Sequence, residues 1–100
     1  MIKILIRTEE NSFKSLEVKG HANSAEYGKD LICAAVSTVM TGGMNALKDK
    51  EYDFKLEEGH IYVKALDIPS DYDSVVLKTM EVQLMTIEES NHKYVQIENL

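Results

Sequence analysis

The chain has 100 residues, 44% of them hydrophobic and 28% charged, which is typical of one globular domain over residues 1–100 rather than of a disordered segment. Its formal net charge of −6 argues against direct nucleic-acid binding, which needs clustered lysine and arginine. A single cysteine is typical of a reducing compartment and no apolar run approaches the roughly 20 residues of a membrane span, so we expect a soluble, cytoplasmic protein without membrane attachment.

The first predicted elements are two strands. Isoleucines at positions 2, 4 and 6 alternate with Lys3, Leu5 and Arg7, as expected for a strand with one buried face. A second alternating run covers residues 13–21, and a polar turn joins the two runs, so we expect an antiparallel hairpin. In this pattern His21 ends the second strand and points away from the core.

A helix follows a polar connection. Residues 22–29 show no convincing period and are expected to form a loop. Asp30 is then a candidate N-cap for a helix over about residues 31–48. The glycine pair Gly42-Gly43 indicates close packing or a kink within it. The apolar residues at helical spacing, expected to face the sheet, are Ile32, Ala35, Val36, Val39, Met40, Gly43 and Leu47.

The second half of the chain again begins with two predicted strands followed by a helix. Residues 52–56 and 61–65 alternate about a turn at Glu58-Gly59, which predicts a second hairpin. A second helix begins after Ser70, since Ser70 and Asp73 have capping-box spacing. A last strand is predicted over residues 93–97.

The second helix has two apolar edges. The expected core stripe consists of Val76, Leu77, Met80, Leu84 and Ile87. The second edge consists of Val75, Thr79, Val82 and Thr86. This second edge is either a dimer contact or more deeply buried in the monomer. With the element order strand, strand, helix, strand, strand, helix, strand, we predict an α+β fold in which two helices cover one face of a mostly antiparallel sheet.

Cys33 is the first candidate for chemistry. It would lie in the first turn of the long helix, where free N–H groups and the helix dipole favour an anion and ease ionisation of a thiol. Those N–H groups are also candidate donors to the oxyanion of an acyl-transfer intermediate. The alternative is that Cys33 is inert packing, because unpaired cysteine is among the most buried residue types.

Three further residues have two interpretations each. His21 is either the general base for Cys33 or an exposed side chain at a strand end. Asp30 either orients His21 as a third catalytic residue or caps the helix. Ser37 lies one turn after Cys33 and either lines the site or is a small residue in a crowded helix. No two residues among the three histidines and Cys33 have zinc-finger spacing, so we expect no metal site.

A set of short motifs between residues 20 and 37 resembles the signature of the Prp family, the ribosomal-processing cysteine proteases of bacteria. The similarity extends to chain length and element order. The motifs are Gly20-His21-Ala22, Gly28-x-Asp30 and Cys33-Ala34-Ala35-Val36-Ser37.

This resemblance implies a function. Members of the family remove a short N-terminal extension from a protein of the large ribosomal subunit, cutting after a phenylalanine. Their Cys–His pair falls here on Cys33 and His21, and their aspartate on Asp30. The resemblance implies a homodimer, a mobile His-to-Cys loop and no cofactor. The residues expected to bind substrate are Gly20, Ala22, Gly28, Ala34 and Ser37.

Two other functions remain open at this point. In one, the chain is a non-enzymatic ribosome-assembly module in which Cys33 is structural. In the other, it is a redox or regulatory protein in which Cys33 forms an intermolecular disulfide and His21 is dispensable. The pH dependence of Cys33 alkylation separates these classes, since only an activated thiol reacts well below a pKa of about 8.5.

Overall fold

The structure is a computed structural model that describes the backbone of residues 1–20 and 27–100 and the side chains of residues 1–20 and 31–100. The elements are β1 (Ile2–Glu9), β2 (Ser12–Lys19), α1 (Tyr27–Ala46), β3 (Tyr52–Glu57), β4 (His60–Ala65), α2 (Asp71–Ser90) and β5 (Val95–Asn99). The strands form one sheet in the order β3-β4-β2-β1-β5. β1 and β5 run parallel, whereas the other described pairings are antiparallel. The predicted α+β, two-layer fold is confirmed.

Both predicted hairpins form. Glu10 and Asn11 close the first one with left-handed φ angles of 51° and 65°, because such a turn matches the twist of the flanking strands. Gly59 closes the second one with a φ of 80°. The second strand is shorter than predicted and ends at Lys19. His21, expected as its last residue, lies outside the described residues.

The core lies between the sheet and the two helices. Alternate residues of the strands and a stripe on each helix are buried in it. The stripe of α1 follows a spacing of four through Ile32, Val36 and Met40, and Ala35 lies on its exposed flank. The expectation that Ala35 faces the sheet is therefore wrong. The buried strand residues are Ile2, Ile4, Ile6, Leu16, Val18, Tyr52, Ile61, Val63, Ala65 and Val95.

The helices approach each other closely at Gly43. A Cβ atom on this residue would lie 2.2 Å from the sulfur of Met80 on α2. Of the two predictions for the glycine pair, close packing is thus confirmed for Gly43, whereas Gly42 has nothing within 4 Å of its Cβ position. Neither described helix has the length and apolar character needed to cross a membrane.

A buried carboxylate holds the start of α2 against the connection between α1 and β3. The Oγ of Ser70 accepts the N–H of Asp73 at 3.2 Å, so the predicted cap is confirmed. Asp73 does not reach back to Ser70 as in a capping box. It accepts the N–H groups of Lys48 and Asp49 and the hydroxyl of Tyr52, at 2.9, 3.0 and 2.9 Å. Burial alone would raise the pKa of Asp73, but these hydrogen bonds outweigh burial and lower it.

Candidate active site

Cys33, the only cysteine of the chain, lies on α1, which follows β2 along the chain and packs against β4. Its side chain is half-buried and packs against the hydrophobic core. Ile32 and Val36 beside it are buried, so the core fixes the orientation of this part of the helix. Cys33 is thereby held in place and still keeps part of its surface accessible.

The helix begins earlier than predicted, and this changes the surroundings of Cys33. α1 begins at Tyr27, so the backbone of Asp30 lies in the first turn and Asp30 is not the residue before the helix. Cys33 is the seventh residue of α1 and lies in its second turn. Because only the first four N–H groups of a helix lack a partner, the N–H of Cys33 is not a free oxyanion donor. The dipole also acts mainly within the first turn, and Cys33 does not lie there.

Gly20 directly follows β2 and has an unusual backbone conformation. Its φ is 92°, in the left-handed region that a side chain disfavours. A Cβ atom here would lie 2.5 Å from the carbonyl oxygen of Met1, and the N–H of Gly20 donates to the carbonyl of Gly59 at 2.9 Å. The position therefore requires glycine for both conformation and space.

The other predicted site residues are only partly described. Ala34 and Ser37 are exposed on α1, and Ser37 lies one helical turn after Cys33. The backbone of Gly28 lies in the first turn of α1 rather than in the expected loop. Ala22 lies outside the described residues. The side chains of residues 27–30 lie outside them as well.

His60 makes a contact that the sequence did not predict. It is the first residue of β4, next to Gly59, and its Nε2 lies 2.5 Å from the carboxylate of Glu17 on β2. Burial alone would raise the pKa of Glu17, but the hydrogen bond from His60 and nearby lysines lower it. The contact fastens β4 to the end of β2, beside the bond between Gly20 and Gly59. In the part of the chain whose side chains are described, no three His, Cys, Asp or Glu residues are grouped as metal ligands.

Comparisons with known proteins converge on one family. A family model described as cysteine protease Prp matches residues 1–96. The ribosomal processing cysteine protease Prp of Staphylococcus aureus is 32% identical over 94 residues, covering 89% of each chain. That of Bacillus subtilis is 33% identical over 101 residues, covering 88% of each chain. The crystal structure of the Staphylococcus aureus protease Prp with a substrate peptide superposes with a TM-score of 0.90 at 28% identity, covering 100% of both chains.

Proposed function

The chain belongs to the family of the ribosomal processing cysteine protease Prp, and we propose that it removes the N-terminal extension of a large-subunit ribosomal protein by cutting after a phenylalanine, without a cofactor. The observation that carries this proposal is similarity along essentially the whole chain, including a relative crystallised with a substrate peptide. Cys33 supports it as the sole cysteine, held by the core with part of its surface accessible. The reaction belongs in the cytoplasm, where ribosomal proteins are made.

Cys33 and His21 perform the chemistry. His21 accepts the thiol proton, and the thiolate attacks the carbonyl carbon before the scissile bond to form a tetrahedral oxyanion. The C–N bond then breaks, and the protonated His21 gives its proton to the leaving amine. Water, deprotonated by His21, attacks the thioester. The thiolate leaves and takes the proton back, which releases the carboxylic acid and restores the free enzyme.

The remaining site residues have supporting roles in this proposal. Since α1 begins before Asp30, orientation of His21 is favoured over helix capping as the role of this carboxylate. The residues proposed to bind substrate are Gly20, Ala22, Gly28, Ala34 and Ser37.

Cleavage of a peptide that carries the extension and the first residues of the mature ribosomal protein tests the function. We expect one cut after the phenylalanine, detected by mass spectrometry. Cys33→Ala abolishes the covalent step, and His21→Ala lowers kcat by about 10²–10⁴-fold, the usual contribution of a positioned base. Cleavage by Cys33→Ala at the wild-type rate, or no cleavage by the wild type at high enzyme concentration, would contradict the proposal.

A homodimer completes the proposal, with the outer edge of α2 as its contact. Val75 and Val82 are exposed on this edge. The hydroxyls of Thr79 and Thr86 donate to the carbonyls of Val75 and Val82, each at 2.8 Å, so both hydroxyls have a hydrogen-bond partner within the helix. A cavity of about 460 Å³ opens beside this edge, between α1 and α2. The resulting surface is more apolar than its sequence indicates, which favours contact with a second copy.

A further inference from the structure

β3 forms one edge of the sheet, and among the described residues no strand pairs with its outer side. The backbone N–H and C=O groups of such an edge are a template for another extended chain. The opposite edge differs, because the N–H of Ile97 in β5 donates to the carboxylate of Glu88 at 2.6 Å. That bond occupies a group that an added strand would need, so β3 is the more available edge.

The core face of the sheet continues onto β3. Phe54 and Leu56 pair with Val63 and Ile61 of β4, and directly paired residues project from the same face. Val63 and Ile61 are buried, whereas Phe54 and Leu56 are 46% and 59% exposed. Two large apolar side chains of the edge strand are therefore left in water beside the core.

The chain around β3 is acidic. Residues 51–58 contain four carboxylates and one lysine, Lys55. The Nζ of Lys55 lies 3.5 Å from the carboxylate of Glu57, so this lysine is already close to one of the four. Proteins that bind RNA carry clustered lysine and arginine. A ribosomal precursor thus has the charge complementary to this segment, which assists encounter and orientation.

β3 also runs toward the end of the sheet at which β2 ends, and α1 with Cys33 follows β2 along the chain. Its last residue, Glu57, precedes the turn in which Gly59 accepts the N–H of Gly20 at 2.9 Å. Gly20 directly precedes His21, and α1 then carries Cys33 in its second turn. An N-terminal extension precedes the scissile bond in the chain. The C-terminal residues of the extension must therefore lie at this end of the sheet. The extension then runs in the same direction as β3.

We propose that the outer edge of β3 binds the N-terminal extension of the precursor as an added parallel strand, a specificity surface separate from the Cys–His pair. Apolar residues at alternate positions of the extension pack on Phe54 and Leu56, and basic residues of the precursor face the carboxylates of residues 51–58. At about 3.3 Å per residue, β3 accommodates about six residues of the extension. The proposal rests on the proposed function and adds how the substrate is selected.

Two peptides test this docking surface. The long peptide carries the full extension, and the short one keeps only the residues next to the cut. We expect the wild type to prefer the long peptide in kcat/KM. In Phe54→Gln and Leu56→Gln this preference falls about tenfold, mainly through KM, because the lost contacts are made equally in the ground state and the transition state. Ile68→Gln is the matched control, since Ile68 is 75% exposed and lies near the β1–β2 turn.

A second measurement distinguishes strand pairing from side-chain contact alone. Amides of the extension are N-methylated one at a time, which removes one donor at each position. In a paired strand alternate N–H groups face the neighbouring strand, so loss of cleavage should recur at every second position. An effect without this alternation would overturn the proposed strand pairing.

The outcomes separate the docking surface from the function. Cleavage of both peptides with an unchanged preference in Phe54→Gln and Leu56→Gln overturns the docking surface and leaves the protease. Failure of the wild type to cut either peptide overturns both. If Phe54→Gln changed the sedimenting mass and not the peptide preference, the edge would be an interface between copies, and substrate docking would be refuted.

Discussion

A carboxylate as completely buried as that of Asp73 is stable only when hydrogen bonds replace the water that it has lost. Two backbone N–H groups and the hydroxyl of Tyr52 do this here. Burial raises the pKa of Tyr52, and the hydrogen bond to the charged Asp73 raises it further. These groups join the connection after α1 to β3 and α2, so the carboxylate is an organising point of the fold rather than of the active site.

We predict that Asp73→Asn destabilises the protein by roughly 2–4 kcal/mol at pH 7, since a buried amide cannot satisfy all three donors. The pKa of Asp73 is lower in the folded chain than in the unfolded one. Its contribution is therefore complete well above the unfolded pKa of about 3.9 and is lost as the pH falls through the folded pKa.

Urea unfolding between pH 3 and 7 measures both the loss of stability at pH 7 and its pH dependence. Below about pH 5, Asp73→Asn should lose stability less steeply than the wild type. Asp71→Asn is the control, because Asp71 lies in the same first turn but is exposed. Equal slopes in Asp73→Asn and the wild type would contradict the assignment.

At the active site, the resemblance of the motifs between Gly20 and Ser37 predicts Cys33 and His21 as the catalytic pair, and this assignment stays a prediction. The structure places Cys33 on α1, whereas His21 lies outside the described residues. The start of α1 was harder to predict. An aspartate before an apolar run is typical of an N-cap, but three helical residues precede Asp30. The contacts of Asp73 could not be predicted either, since they join groups 21 to 25 positions apart in the chain.

Two adjacent glycines of α1 have opposite surroundings. Gly43 leaves room for Met80, whereas a side chain on Gly42 would meet open space. We predict that Gly43→Ala destabilises the protein by about 1–3 kcal/mol through overpacking. Gly42→Ala should stabilise it by about 0.5–1 kcal/mol, because alanine is the better helix former.

Denaturant unfolding of the two variants side by side measures this difference, and each is the control for the other. Equal midpoints, or a stabilised Gly43→Ala, would mean that Met80 moves aside without cost and that the close approach of the helices is not essential.

Among the elements, local patterns predicted the strands and both hairpins. The boundaries shifted where the pattern was interrupted. Residues 27–30 have no apolar period, so their sequence predicts a loop where the first turn of α1 forms. β5 begins at Val95 rather than at residue 93, because the N–H groups of Tyr94 and Val95 both donate to the carbonyl of Asn91 in a turn. The parallel pairing of β5 with β1 has no local signal at all.

At the scale of the whole molecule, the proposed dimer makes a simple prediction. Sedimentation of the wild type should give twice the chain mass of 11.3 kDa. Val75→Lys and Val82→Lys should shift it toward the monomer, since a charge would have to be buried in an apolar contact. Ser74→Lys introduces the same charge on the polar flank of α2 and should remain dimeric. A monomeric wild type, or a Ser74→Lys variant that dissociates equally, would contradict the proposed contact.

The parallel pair formed by β1 and β5 also has a consequence for synthesis and folding. Ile2 pairs with Val95, so β1 remains without its second neighbour until β5 has been synthesised. Ribosomes add roughly 5–20 residues per second, and contacts between such distant segments close late because the entropy of the intervening loop must first be lost. A nascent chain that already carries Cys33 but not yet β5 therefore has an incomplete sheet. Proteolytic activity should accordingly begin only after β5 has been synthesised and has paired with β1.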